Sequence, residues 1–158
     1  FRQRDLADRI LQVLEVTQMK PENLTLEITE GVLMDNLQQG IDMLGKLREI
    51  GVSIAIDDFG TGYSSLAYLK DLPIDYLKID RVFVKDIVED ENDAAIANSI
   101  IALAHNLGLE VIAEGVEDPS VLGVLQAFGC DHYQGFFFSR QFRFFCRHRC
   151  CMIRSRLA

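Results

Sequence analysis

Apolar residues follow two rhythms along the chain, and the rhythms alternate from one segment to the next. Leu6, Ile10 and Leu14 fall at helical spacing, so residues 5–17 predict a helix that Pro21 shuts off. "NLTLEIT" alternates apolar and polar positions and predicts a short strand. In "DNLQQGIDMLGKLREIG", Ile41, Leu44 and Leu47 form one stripe, with Asp35 as a candidate cap and Gly51 as the stop. "VSIAID" predicts a second strand, "SSLAYLKDLP" a short helix ended by Pro73, and "DYLKID" a third strand. Beyond an acidic loop, "DAAIANSIIALAHNLG" predicts a helix closed by Gly108, and "LEVIAEG" a fourth strand. "EDPSVLGVLQAFG" carries Asp118 as N-cap, Pro119 at the first helical position and Gly129 at the end. "HYQGFFF" predicts a fifth strand. Strands that alternate with helices imply a parallel sheet with right-handed crossovers, the α/β class.

The polar exceptions in this pattern fall at the strand ends: Glu27, then Asp57 and Asp58, Lys78, Glu114 and Gln134. In parallel α/β folds the carboxyl ends of the strands share one rim, where binding sites are built. Residues far apart in sequence therefore converge if the sheet curls into a barrel.

Composition narrows the classes. The 158 residues are 49% hydrophobic and 25% charged, with a formal net charge of −8, which describes a globular chain. That charge argues against a basic nucleic-acid-binding surface. The apolar run "IIALAHNLGLEVIA" is interrupted by His105, Asn106 and Glu110, so no membrane span is expected. "FRQRDLADRI" has no signal-peptide pattern and reads as a cut from a longer protein. From Gln141 onward the chain holds five arginines, one histidine, no acidic residue and three of the four cysteines. Residues 1–140 are thus expected to form the domain and 141–158 an atypical Arg/Cys-rich tail. The tail's Cys146, Cys150, Cys151 and His148 lack the paired spacing of a zinc knuckle.

Asp57 and Asp58 suit a hard divalent cation, because Mg²⁺ and Mn²⁺ prefer oxygen ligands. One carboxylate can bridge two ions spaced roughly 3.5–4 Å apart, the geometry of in-line displacement at phosphorus. The alternative is that Asp57 caps the turn and Asp58 is solvated. Gly60 and Gly62 permit backbone conformations closed to other residues, in a loop against a site or in an ordinary turn. Glu27 shares a face with Thr25 and points into a barrel mouth; Glu30 caps the next helix or anchors a loop. Lys78 shares a face with Tyr76 and Asp80, and if it points inward it needs a carboxylate or a phosphate as partner. Glu114 suits a general base or an ion pair, and Glu117 loop support. Gln134 suits a hydrogen bond to a base or phosphate, or a structural role.

"LTLEITE", "GVSIAIDDFGTGYSSLAYLKDLPIDYLKID", "GLEVIAEGVE" and "DHYQGFFFSR" together resemble the EAL family of cyclic di-GMP phosphodiesterases. The resemblance implies a modified TIM barrel that hydrolyses cyclic di-GMP to linear pGpG, with two Mg²⁺ or Mn²⁺ ions activating the attacking water. It assigns Glu27, Asp57 and Asp58 as metal ligands, with Asp57 bridging both ions. Lys78 corresponds to the lysine beside the nucleophilic water, and Glu114 to the glutamate with base or metal-associated duty. Glu30 corresponds to the glutamate that steadies the loop after DDFG, a loop that also contributes to dimerisation. Thr61 and Gly62 belong to that loop, and Gln134 lies near the reaction centre.

The departures shape the expectation. The family's Glu-Ala-Leu segment and an asparagine ligand are absent from these residues. The expected fold is therefore a partial TIM-like (β/α) barrel of about five parallel strands, where the family uses eight. Its sheet edge is left exposed and the two-metal site is incomplete. The tail stands where the family continues into an amphipathic helix. The expected function is a fragment of the phosphodiesterase, inactive or weakly active by itself. The alternative is a non-catalytic module that binds cyclic di-GMP or oligomerises through the exposed edge. The expected setting is cytoplasmic, in a parent with an upstream regulatory or GGDEF-type domain and, in some arrangements, a membrane anchor. No direct DNA or membrane contact is expected.

Overall fold

The computed structural model describes residues 6–34, 37–60, 66–137, 145–147 and 150–155. Five parallel strands carry the domain: β1 (Leu24–Thr29), β2 (Ser53–Phe59), β3 (Tyr76–Ile79), β4 (Glu110–Glu114) and β5 (His132–Gln134). Each pairs in parallel with the next, so the order in the sheet is the order in the sequence. The helices are α1 (Leu6–Thr17), α2 (Glu30–Met34), α3 (Leu37–Ile50), α4 (Leu66–Leu69), α5 (Arg81–Val84), α6 (Glu91–Asn106) and α7 (Pro119–Ala127).

The strands are short apolar runs because both of their faces are covered. In β2, Ile54, Ala55 and Ile56 are all buried. One face packs under the helices, against Leu44 and Leu47 of α3, Ile101 and Ala104 of α6 and Leu125 of α7. The other faces the barrel interior. Helix ends follow local chemistry. Asp118 accepts from the Ser120 amide ahead of Pro119, and Asp90 accepts from Asn92 and Asp93 at the start of α6. Gly51, Gly108 and Gly129 take positive φ where α3, α6 and α7 stop. The expected Asp35 cap lies outside the described residues.

Three expectations are corrected. "HYQGFFF" is a strand only over His132–Gln134. Gly135 then brings its backbone against Val116, where a Cβ would lie 2.0 Å from the Val116 carbonyl oxygen, so the chain turns away from the sheet. The acidic loop after "KID" contains the single turn of α5, capped by Asp80. The exposed edge is also filled. Strands β6 (Phe145–Arg147) and β7 (Cys150–Ser155), both from the tail, form an antiparallel pair. β6 pairs antiparallel with β5, and β7 runs parallel to β1, from Leu24 opposite Ile153 to Leu26 opposite Ser155. The hydrogen-bonded ring returns to its first strand. The tail thus supplies the backbone partners that an open edge lacks.

Candidate active site

The two adjacent aspartates pose a geometric problem, since neighbouring side chains in a strand point to opposite faces. The backbone of β2 resolves it. Ile56 pairs with Leu77 and Phe59 with Ile79, so three steps along β2 match two along β3. One extra residue is accommodated there, a β-bulge. Asp58 takes the left-handed conformation, φ 57°, which aspartate tolerates better than most residues. Its amide donates to Asp57 Oδ1 over 3.2 Å.

Lys78 is the centre of the rim. Its side chain is fully buried, and its ammonium meets carboxylates from three different strands. Nζ lies 2.5 Å from Asp57 Oδ1 and 3.2 Å from Glu27 Oε2, and it contacts Glu114 Oε1. β1, β2, β3 and β4 therefore deliver their polar ends to one place. Gln134, buried at the end of β5, stands beside Glu114 in the sheet register.

Asp58 lies on the outer side of this cluster. Its carboxyl is held above the usual carboxylate range, first by burial and then by the negative charge of Asp57. A side-chain hydrogen bond with Asp80, the charge of Asp80 and that of Glu114 push the same way. Asp80 is the residue that sequence reading missed. The signal was there: an aspartate directly before a helical turn is an N-cap, and its Oδ1 accepts from the Val82 amide over 2.7 Å.

The structure separates the remaining candidates by place. Glu30 opens α2 and accepts a 2.5 Å hydrogen bond from the Tyr68 hydroxyl of α4, so it ties α2 to α4. Thr61 and Gly62 lie outside the described residues, as do the side chains of Cys146, Cys150, Cys151 and His148. Glu117 pairs with Arg81 over 3.1 Å, both side chains partly exposed. His105 pairs with Asp131 over 2.9 Å, away from the rim. His132 begins β5 at the opposite end of the barrel, buried, with Nε2 2.7 Å from Glu110 Oε2.

The donor set suits a hard cation in its chemistry: every carboxylate donor atom at the rim is oxygen, and burial followed by the neighbouring negative charges raises the Asp58 carboxyl. Among the described residues, no three acidic, histidine or cysteine side chains are grouped to hold an ion. The ammonium of Lys78 sits between the carboxylates in that role. Among the described residues, no helix is long and apolar enough to cross a membrane.

Fold and rim together define an α/β barrel with an acidic, lysine-centred mouth. Residues 1–141 match the family model described as EAL domain, and the chain belongs to that family. It is 51% identical over 135 residues to the cyclic di-GMP phosphodiesterase NbdA of Pseudomonas aeruginosa, covering 85% of this chain and 17% of that protein. Among solved structures, the PaMucR phosphodiesterase in complex with c-di-GMP superposes with a TM-score of 0.83 at 39% identity. That match covers 96% of this chain and 57% of the other. A manganese and cyclic di-GMP complex of Klebsiella pneumoniae BlrP1 gives 0.79 at 31% identity, covering 95% and 36%.

Proposed function

We propose that this chain supplies one side of a divalent-ion-dependent phosphodiesterase site for cyclic di-GMP, with linear pGpG as product. The observation that carries the reading is the convergence of Glu27, Asp57 and Glu114 on Lys78 from separate strand ends. The NbdA and PaMucR names and the manganese complex of BlrP1 support the substrate and the cofactor. Glu27, Asp57 and Asp58 would hold Mg²⁺ or Mn²⁺. Such ions, when bound, stabilise developing charge on phosphoryl oxygens and lower the pKa of water.

The chain's own residues do the rest. Lys78, released from its carboxylates, faces the anionic phosphodiester and orients the attacking water. Glu114 takes the proton from that water as the water oxygen bonds to phosphorus, while the P–O bond on the opposite side breaks and the ribose oxygen leaves, taking up a proton from solvent. Gln134 fixes the substrate by hydrogen bonding, and Glu30 holds α4 through Tyr68. The Glu-Ala-Leu glutamate and the asparagine that the family resemblance adds are not among these 158 residues. A two-metal site built from these 158 residues alone would run slower by on the order of 10³-fold or more.

Isothermal titration of the chain with cyclic di-GMP and Mn²⁺, followed by chromatography for pGpG, tests the proposal. Ion-dependent binding with slow turnover is expected. Absence of binding with and without the ion overturns the site reading. Turnover matching a complete family member overturns the incompleteness. Cytoplasmic location and an upstream regulatory domain belong to the same proposal; the chain spans 17% of NbdA.

A further inference from the structure

We propose that Arg81 is a positioning residue: with Glu117 it clamps the turn after β4 and so fixes the Glu114 carboxylate against Lys78. The clamp rests on the site reading above for its role, but its geometry stands independently. Gly115, directly after Glu114, has φ +75°, and a Cβ there would lie 2.4 Å from Arg81 Cγ and 2.9 Å from Arg81 Cβ. The turn therefore lies on the aliphatic stem of Arg81, and only glycine admits both that backbone angle and that approach. Beyond it, the Arg81 head pairs with Glu117, Nη2 to Oε1, over 3.1 Å.

The other side of the turn is gripped by β5. The Val116 amide donates to the Gln134 carbonyl over 3.0 Å, and the Phe137 amide donates to the Val116 carbonyl over 3.1 Å. Gly135 approaches Val116 so closely that a Cβ would meet its backbone at 2.0 Å. Residues 115–117 are thus held between α5 and the end of β5. Asp80, next to Arg81, caps α5 and hydrogen-bonds Asp58.

The Arg81 and Glu117 side chains are 55% and 43% exposed, and pairs so placed contribute little to global stability. An ion pair serving only the surface would need no glycine beneath it. The clamp therefore acts on where Glu114 lies rather than on whether the chain folds.

The test compares wild type with Arg81→Ala, Arg81→Lys and Glu117→Gln. Two readouts are used: hydrogen exchange at the Val116 and Phe137 amides, and Mn²⁺ affinity by electron paramagnetic resonance. Arg81→Ala and Glu117→Gln should leave the melting temperature nearly unchanged and speed exchange at both amides. They should weaken Mn²⁺ by about 10-fold, the usual effect of losing outer support, because Glu114 shares the Lys78 ammonium with the proposed ligands Glu27 and Asp57. Arg81→Lys, which keeps the stem and the charge, should restore most of both. Unchanged exchange in Arg81→Ala overturns the clamp. Faster exchange with unchanged Mn²⁺ affinity overturns its positioning role. If wild type itself binds no Mn²⁺, the metal reading fails, while faster exchange in Arg81→Ala still supports the clamp.

Discussion

Replacing Lys78 by methionine separates the two things its ammonium does. The side chain is fully buried, and its three carboxylate partners are also largely buried. At an effective dielectric near 20, the 3.2 Å contact with Glu27 alone is worth about 5 kcal/mol before desolvation is counted. Desolvation removes several kcal/mol per ion, so the intact cluster contributes far less than the sum of its attractions. Removing the cation is different, because it strands carboxylates that no longer have their counter-charge. Breaking a buried pair in this way costs about 3–5 kcal/mol. At roughly 2–4 °C per kcal/mol for a domain of this size, Lys78→Met should melt about 6–20 °C below wild type in chelator. An ion that takes the place of the ammonium should recover part of that loss, about 2.7 kcal/mol at a hundredfold excess over its Kd. The assay is a calorimetric melt of both proteins with chelator and with Mn²⁺. A mutant that melts within about 2 °C of wild type in chelator would refute the idea that Lys78 neutralises the rim.

Asp58→Asn tests the charge on the outer side of the cluster. The raised pKa of Asp58 means its stabilising contribution is present below the ordinary carboxylate range and is lost as pH rises through the native value. The asparagine variant should therefore melt higher than wild type without metal at neutral pH, and the gain should shrink on acidification; a gain constant with pH speaks against the electrostatic cause. Gly135→Ala should lower the urea midpoint by the equivalent of about 1–3 kcal/mol or more, because the atoms it meets are Val116 backbone. An unchanged midpoint would show that the turn yields freely. Burial pushes the Cys130 thiol up to about 12, so it should resist alkylation at mildly alkaline pH until the chain is unfolded. Peptide mass spectrometry distinguishes it from the tail cysteines, and native-state labelling at Cys130 would contradict its burial.

The strands were legible because each is a brief apolar run ending in a polar residue, and Glu27, Asp57, Lys78 and Glu114 were legible for the same reason. Local chemistry also announced the stops at Gly51, Gly108 and Gly129. What sequence could not show was register. The bulge at Asp58 exists only in relation to β3, and no pattern within "SIAIDDF" records a partner strand. The same limit hid β6 and β7, whose role depends on β5 at one side and β1 at the other. Their arginines and cysteines carry no plain alternation, so the segment read as a foreign tail. Asp80 was missed for a different reason. Strand alternation put it on the Lys78 face, while its place before "RVFV" made it a cap as well.

The extra residue in β2 has a consequence for how this site can vary. Exchanging either aspartate for another side chain alters charge but leaves the spacing of the chain intact. Deleting either one removes the surplus residue, and a regular strand would then run from Ile56 opposite Leu77 to Phe59 opposite Ile79 with both pairings kept. One carboxylate would be gone, and with it the left-handed step at Asp58 that lets two neighbouring acids leave one strand end together. The surplus residue thus serves the rim rather than the packing, since buried Phe59 keeps its place with or without it.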